Sequence, residues 1–192
     1  MQIDHVEWRA FFDELKHETE RGSAILLISW LDSILHRKFE GLFSHGNADE
    51  RRKLFDDHGP FHSFAAKVAA ARCLGWLDED TAHDVAIARR IRNEFAHAKH
   101  GLKMGSPKIR KLVESFRLPL REYSDWADFS IQPLPDGTGF RMTFHKQPPE
   151  ATDLDVTGVR FRLVASLLVA SIAENLQIAI VLDPLTASDV GP

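Results

Sequence analysis

The residues best suited to chemistry lie in one short segment, residues 89–97, which reads R-R-I-R-N-E-F-A-H. In a helix, which turns about 100° per residue, the nitrogen-bearing side chains of this region share one side and the apolar side chains share the other. The polar side contains Arg92, Arg89, His100, Asn93 and His97. The apolar side contains Ile87, Ile91, Phe95, Ala88 and Ala98. The segment is therefore predicted to be an amphipathic helix with one donor-rich face.

This polar face is suited to binding an anion. Arginine presents a planar fork that matches phosphate or carboxylate, and histidine exchanges a proton near neutral pH. An arginine at position 92 to stabilise charge and His97 to move protons, with Asn93 to orient them, would suffice for metal-free RNA cleavage by the ribose 2′-hydroxyl. Because Arg92 and His97 are five residues apart, they flank the patch and do not stack. A solvated helix face without a ligand is the simpler alternative.

Helices are expected on both sides of this segment. Apolar residues recur at helical spacing, and Gly22-Ser23 is expected to break or cap the first helix. Periodicity predicts helices over residues 4–21, 24–42, 61–74, 80–99, 107–116 and 155–182, with a short charged helix or turn at 48–55.

The pattern changes between residues 119 and 150. Alternating apolar residues on either side of P-D-G-T-G predict a β-hairpin. Pro133 and Pro135 restrict its first segment to an edge strand or to no strand at all. We expect an all-α fold of one domain, with a helical bundle core in residues 1–118 and a small hairpin or loop insertion in 119–150. Residues 151–192 are expected to supply a long C-terminal helix that completes the same domain.

Composition restricts the possible functions. The net charge is −4 and the pI is near 6.2, which disfavours a broad nucleic-acid surface, so any such contact must be local. Asp32 and Glu174 interrupt the two longest apolar stretches, and the first 20 residues do not resemble a signal peptide. The sequence therefore predicts a cytoplasmic protein without membrane contact.

The remaining candidates have simpler explanations. Cys73 is the only cysteine and lies among apolar residues, so we expect a buried small hydrophobe. His58 and His62 are separated by Gly59-Pro60, and the pair at positions 97 and 100 lacks further ligands, so no metal and no cofactor are predicted. Asp32 needs a partner inside its apolar helix, and Arg89 or Arg92 is the expected one.

A family resemblance adds to this interpretation. The stretch G-P-F-H-S-F-A-A-K-V-A-A-A-R-C-L-G-W-L, followed by R-R-I-R-N-E-F-A-H, resembles the mannitol operon repressor family over residues 59–97. The R-N-x-x-A-H core also resembles the R-x4-H motif of the HEPN superfamily, all-helical domains that include many ribonuclease toxins. The resemblance implies a HEPN-like bundle and a homodimer. In HEPN ribonucleases the motif residues face the twofold axis, which would place Arg92 and His97 there, with Asn93 beside the arginine.

Two functions are consistent with this resemblance, and whether the chain is an enzyme is left open. The first is a regulatory protein of the mannitol repressor type, which controls transcription directly or through a partner. The alternative is a metal-independent HEPN-type ribonuclease with Arg92, His97 and Asn93 as its catalytic residues. In either case Arg89 and His100 are expected to complete the binding face, and the candidate partners are a second copy, DNA, RNA or a regulatory protein. The basic run from Lys103 to Lys111 would extend this face or be a solvated surface.

Overall fold

The computed structural model describes residues 5–56, 58–99, 101–118, 126–133, 139–146, 156–173 and 177–183. Within these ranges the chain forms seven helices and three strands. In chain order they are α1 His5–His17, α2 Glu20–Leu42, α3 Ala48–Phe55, α4 Phe64–Cys73, α5 Glu79–His97, α6 Pro107–Glu114, β1 Trp126–Pro133, β2 Gly139–Lys146, α7 Val156–Ala173 and β3 Gln177–Asp183. The helical bundle with a small hairpin that the sequence predicts is confirmed.

Helix α2 is the centre of the bundle and contacts α1, α4, α5 and α7. Its buried side is a row of aliphatic residues that includes Leu27, Leu31 and Leu35. The hydroxyl of Thr19 accepts a hydrogen bond from the backbone N–H of Gly22, which caps the helix. Because this cap starts the helix at Glu20, α2 runs through Gly22 and Ser23, and the break predicted there is wrong.

Helix α5 carries the candidate site and begins at a well-defined cap. The carboxylate of Asp78 accepts the backbone N–H of Thr81 at 2.7 Å. This hydrogen bond lowers the pKa of Asp78. The apolar side chains predicted to face the core, including Ile91 and Phe95, are buried. The helix ends at His97, and Gly101, with a φ of 72°, redirects the chain toward α6.

Helix α7 packs against α2, α5 and α6, and its middle is buried at Phe161, Val164 and Leu168. The Lys38 ammonium of α2 donates a hydrogen bond to the Ile172 carbonyl at 3.2 Å, which satisfies a carbonyl near the end of α7. None of the helices in the described ranges has the length and hydropathy needed to cross a membrane.

The three strands form one sheet in the order β1-β2-β3. Strands β1 and β2 are antiparallel, and Pro133 lies opposite Phe140 at the end of β1, so the predicted hairpin and the edge position of its first strand are confirmed. Strands β2 and β3 are parallel, with Gly139 opposite Gln177.

The long C-terminal helix predicted over residues 155–182 of the 151–192 segment is present as α7 up to Ala173, and the prediction is wrong at residues 177–182. Residues 177–183, which read Q-I-A-I-V-L-D, form β3 instead. This segment is rich in β-branched residues, and its backbone groups are paired with β2. An apolar run of this length does not by itself distinguish a buried helix from a buried strand.

Candidate functional site

The structure places the predicted polar face of α5 toward solvent. Arg89, Arg92 and His97 are exposed, and Asn93 is half-buried. The fifth predicted binding residue, His100, lies outside the described residues. The four described residues therefore share one accessible side of a rigid helix, as the helical projection predicts.

One hydrogen bond organises this face. The Arg92 guanidinium donates from Nη1 to the Asn93 side-chain oxygen at 3.1 Å. Within the described residues no hydrogen bond joins Arg92 to His97. Since the guanidinium has five N–H donors, the contact with Asn93 fixes its direction and leaves donors for an anion. Among the described residues, the face therefore has an oriented guanidinium but no hydrogen-bonded pair of Arg92 and His97 within one chain.

Basic side chains from two other helices border the face. Arg21, in the first turn of α2, donates from Nη2 to the carbonyl oxygen of Ala96 at 3.2 Å. The Lys108 ammonium of α6 forms an ion pair with Glu94 of α5 at 2.6 Å. Glu94 is the acid nearest to the predicted binding residues on α5, and this ion pair compensates its charge. One member of the basic run that follows α5 in sequence, Lys108, therefore contacts α5 in the fold.

A buried carboxylate holds the chain after α6 against α5. Asp84 is completely buried and accepts the backbone N–H groups of Arg117 and Leu118, each at 2.8 Å. The imidazole of His83 lies 2.9 Å from the same carboxylate. These contacts fix the end of α6 on α5 and so determine which side chains of α6 border the polar face. Sequence reasoning missed Asp84, although it projects onto the apolar side of the α5 helix, where a charge requires partners.

Arg117 adds an exposed connection at the same junction. Its guanidinium forms ion pairs with Glu79 at 3.1 Å and Asp80 at 3.2 Å, in the first turn of α5. These two carboxylates raise the pKa of Arg117. Acidic residues in the first turn and His97 in the last also complement the helix dipole.

The predicted partner of Asp32 is wrong. Asp32 pairs with Lys67 of α4 at 2.7 Å, and neither Arg89 nor Arg92 forms this contact. The angles of the contact are those of an ion pair without an aligned hydrogen bond. Lys67 is 3% exposed, so α4 brings a buried ammonium to α2. Lys67 supplies the opposite charge that Asp32 requires, and Arg89 and Arg92 are exposed at the surface.

The prediction that Cys73 is buried is also wrong. Only Lys67 and Ala71 of α4 are buried against the bundle, and Cys73 lies on the opposite, exposed side. It lines an open depression of about 570 Å³ together with Ala69, Arg72, Leu77 and Glu79. The apolar neighbours of Cys73 in sequence misled the prediction, since alanine-rich helices expose small apolar residues.

The histidines considered as metal ligands are dispersed. His58 and His62 are exposed, and the His62 ring contacts the Gly59 carbonyl at 2.9 Å. In the part of the chain that the structure describes, no three histidine, cysteine, aspartate or glutamate side chains are grouped as a metal site would require.

The fold and this geometry define a helical bundle with an exposed, donor-rich helix face. A chain of the X-ray structure of the MtlR–HPr complex from Escherichia coli has a similar fold, with a TM-score of 0.61. The similarity covers 86% of this chain and 98% of that one, at 12% sequence identity, which supports likeness of fold alone. Neither a protein-family model nor a curated protein matches this sequence.

Proposed function

We propose that this chain is a cytoplasmic regulatory protein of the mannitol repressor type, which controls transcription directly or through a partner. The observation that carries the proposal is the exposure of Arg89, Arg92 and His97 on one side of α5. An open helix face of this kind suits recognition of another macromolecule, because the surface of a large partner can reach its side chains.

The similarity in fold supports the same proposal. The structure of similar fold is a complex of MtlR with HPr, so a protein with that fold can present a surface to a second protein. MtlR denotes the mannitol operon repressor, the family that residues 59–97 resemble. A regulatory protein that binds this chain is therefore one candidate partner, beside the DNA of a controlled promoter.

The experiment that tests this function uses a transcriptional reporter driven by promoters near the gene in its own host. Wild-type protein is expected to change the output of at least one promoter. Arg92→Ala and His97→Ala are expected to abolish the change, while Arg72→Ala and His45→Ala, two exposed control positions, retain it. No response from any promoter, with folded protein present, would reject the regulatory function.

The second candidate is a metal-independent ribonuclease with Arg92, His97 and Asn93 as catalytic residues. The hydrogen bond from Arg92 to Asn93 favours it, because it holds the guanidinium in one direction. In this proposal two copies form a homodimer in which the arginine of one chain and the histidine of its partner complete the site.

The two candidates are separated by incubating purified protein with mixed RNA in EDTA. Cleavage by the wild type that is lost in both Arg92→Ala and His97→Ala supports the ribonuclease. Mixing the two inactive variants provides a test of the composite site, since heterodimers regain one intact site and are expected to recover part of the activity. An absence of cleavage in wild type rejects the ribonuclease and leaves the regulatory function.

A further inference from the structure

Positive charge is concentrated in one part of this acidic chain. Residues 85–113 contain eight lysines and arginines and a single acid, Glu94, whereas the rest of the chain contains sixteen lysines and arginines and twenty-seven acids. The net charge of −4 is therefore the sum of a strongly basic segment and a strongly acidic remainder. An average over the whole chain conceals a local surface of the opposite sign.

The fold assembles this charge into one surface across three helices. Arg21 of α2 contacts α5 at the Ala96 carbonyl, and Lys108 of α6 contacts it at Glu94. Lys111 is three residues beyond Lys108, so it lies on the same side of α6. We use the name basic surface for the exposed or partly exposed residues Arg21, Arg89, Arg90, Arg92, His97, Lys108 and Lys111.

Most of the charge on the basic surface is uncompensated. Lys108 is its one member with an ion pair inside the described part of the chain, and its partner Glu94 is the only acid of the basic segment. Arg21 and Arg92 donate to neutral oxygen atoms, which orient them without removing their charge. Several oriented, exposed cations on one face favour a polyanion over a single small ion.

The side chains between these cations indicate the kind of partner. Protein–protein interfaces have an apolar or aromatic centre depleted of charge, whereas nucleic-acid interfaces are polar and positively charged. On α5 and α6 the large apolar side chains of the described residues face the core, and Ile25, 39% exposed, lies one turn from Arg21 at the margin. The basic surface therefore lacks the apolar centre of a protein interface.

We propose that the basic surface binds the phosphodiester backbone of a nucleic acid. The proposal rests on the regulatory function and gives that function a direct route to the promoter or its transcript. From Arg89 to His97 the helix rises about 12 Å, enough to follow about three phosphates of one strand. Arg21 and Lys111 would then contact phosphates on either side of α5.

The test measures the affinity of the full chain for a labelled duplex of about 20 base pairs, and for a single-stranded RNA of the same length, between about 50 and 200 mM salt. Arg21→Gln/Lys111→Gln removes two charges of the basic surface outside α5. We expect at least a tenfold loss of affinity and a log–log salt slope that is smaller by about 2. Arg52→Gln/Lys53→Gln on α3, which removes the same charge from exposed positions, is expected to leave the affinity within about twofold of wild type.

Three results would overturn the proposal. They are the absence of salt-dependent binding by wild type, an equal loss in the α3 control, and a polyglutamate peptide that binds as tightly as the duplex, which would indicate an acidic protein partner. Lys111→Gln alone keeps the test valid if loss of the Arg21 contact unfolds the chain. A reporter that still responds in the double variant would retain the regulatory function while rejecting this surface.

Discussion

The Arg92 guanidinium donates a hydrogen bond to the side chain of Asn93, the next residue of α5, at 3.1 Å. The asparagine oxygen is neutral, so the contact orients the arginine while its positive charge remains available. Asn93 therefore positions Arg92 within the R-N-x-x-A-H core. Substitutions at Asn93 can test separately the orientation of the arginine and its available charge.

Asn93→Asp is expected to weaken nucleic-acid binding more than Asn93→Ala does. A carboxylate at this distance forms a charged pair with Arg92 and cancels the charge that attracts a phosphate. We expect a loss of about tenfold for the aspartate and about two- to threefold for the alanine, measured by anisotropy with a labelled duplex. Equal losses would show that position 93 acts by shape and not by controlling the charge of Arg92.

Helical periodicity in the sequence predicts some elements of this fold and not others. The buried side of α5, at Ile91 and Phe95, follows from helical spacing because that helix packs along its whole length on the core. Strand β3 does not, because its pairing with β2 depends on residues about forty positions earlier in the chain. The local pattern identifies an apolar segment, and the element that pairs with it then determines whether it forms a helix or a strand.

The same distinction applies to the site. The residues of one helix, Arg92 and His97, are placed on a common face by spacing alone. Arg21 contacts α5 at Ala96, which is 75 positions later in the sequence. Asp32 forms its ion pair with Lys67 of α4 and not with an arginine of the face. Neither contact has a signal in the local pattern, so the sequence predicts the centre of the surface and not its borders.

Asp84→Ala is expected to destabilise the protein by about 2 to 3 kcal/mol. It removes a buried acceptor and leaves the N–H groups of Arg117 and Leu118 without their partner. Urea denaturation measures the loss, and amide exchange at these two residues should accelerate. Asp80→Ala, which removes one exposed ion pair of Arg117, serves as the control and should cost much less than Asp84→Ala. Similar losses of unfolding free energy in the two variants would contradict the role of Asp84 in holding the chain after α6 against α5.

The two partners of the Asp32–Lys67 ion pair are expected to respond unequally to removal. Asp32→Ala leaves the Lys67 ammonium buried without an opposite charge and should cost about 2 to 3 kcal/mol. Lys67→Met replaces that ammonium by an apolar chain of similar length and leaves Asp32, whose side chain is 38% exposed, accessible to water. Its cost should be below about 1 kcal/mol, and the double variant should resemble Lys67→Met. Denaturation measures the free energy of unfolding of each variant. A larger loss in Lys67→Met than in Asp32→Ala would contradict this prediction.

The cap of α5 gives a prediction for acid pH. Asp78→Ala removes the acceptor for the Thr81 N–H and should cost about 1 kcal/mol at neutral pH, whereas Asp78→Asn keeps an acceptor and should cost less.

The pKa of Asp78 is lower in the folded protein than its ordinary value of 3.8, so the ionised carboxylate stabilises the fold above that value. This stabilisation is lost as the pH falls through the folded pKa. The stability advantage of wild type over Asp78→Asn should therefore be constant from neutral pH to about pH 5 and shrink below it. Denaturation curves for the two proteins across this range measure the difference, and an advantage that grows on acidification would show that the charge of Asp78 does not support the cap.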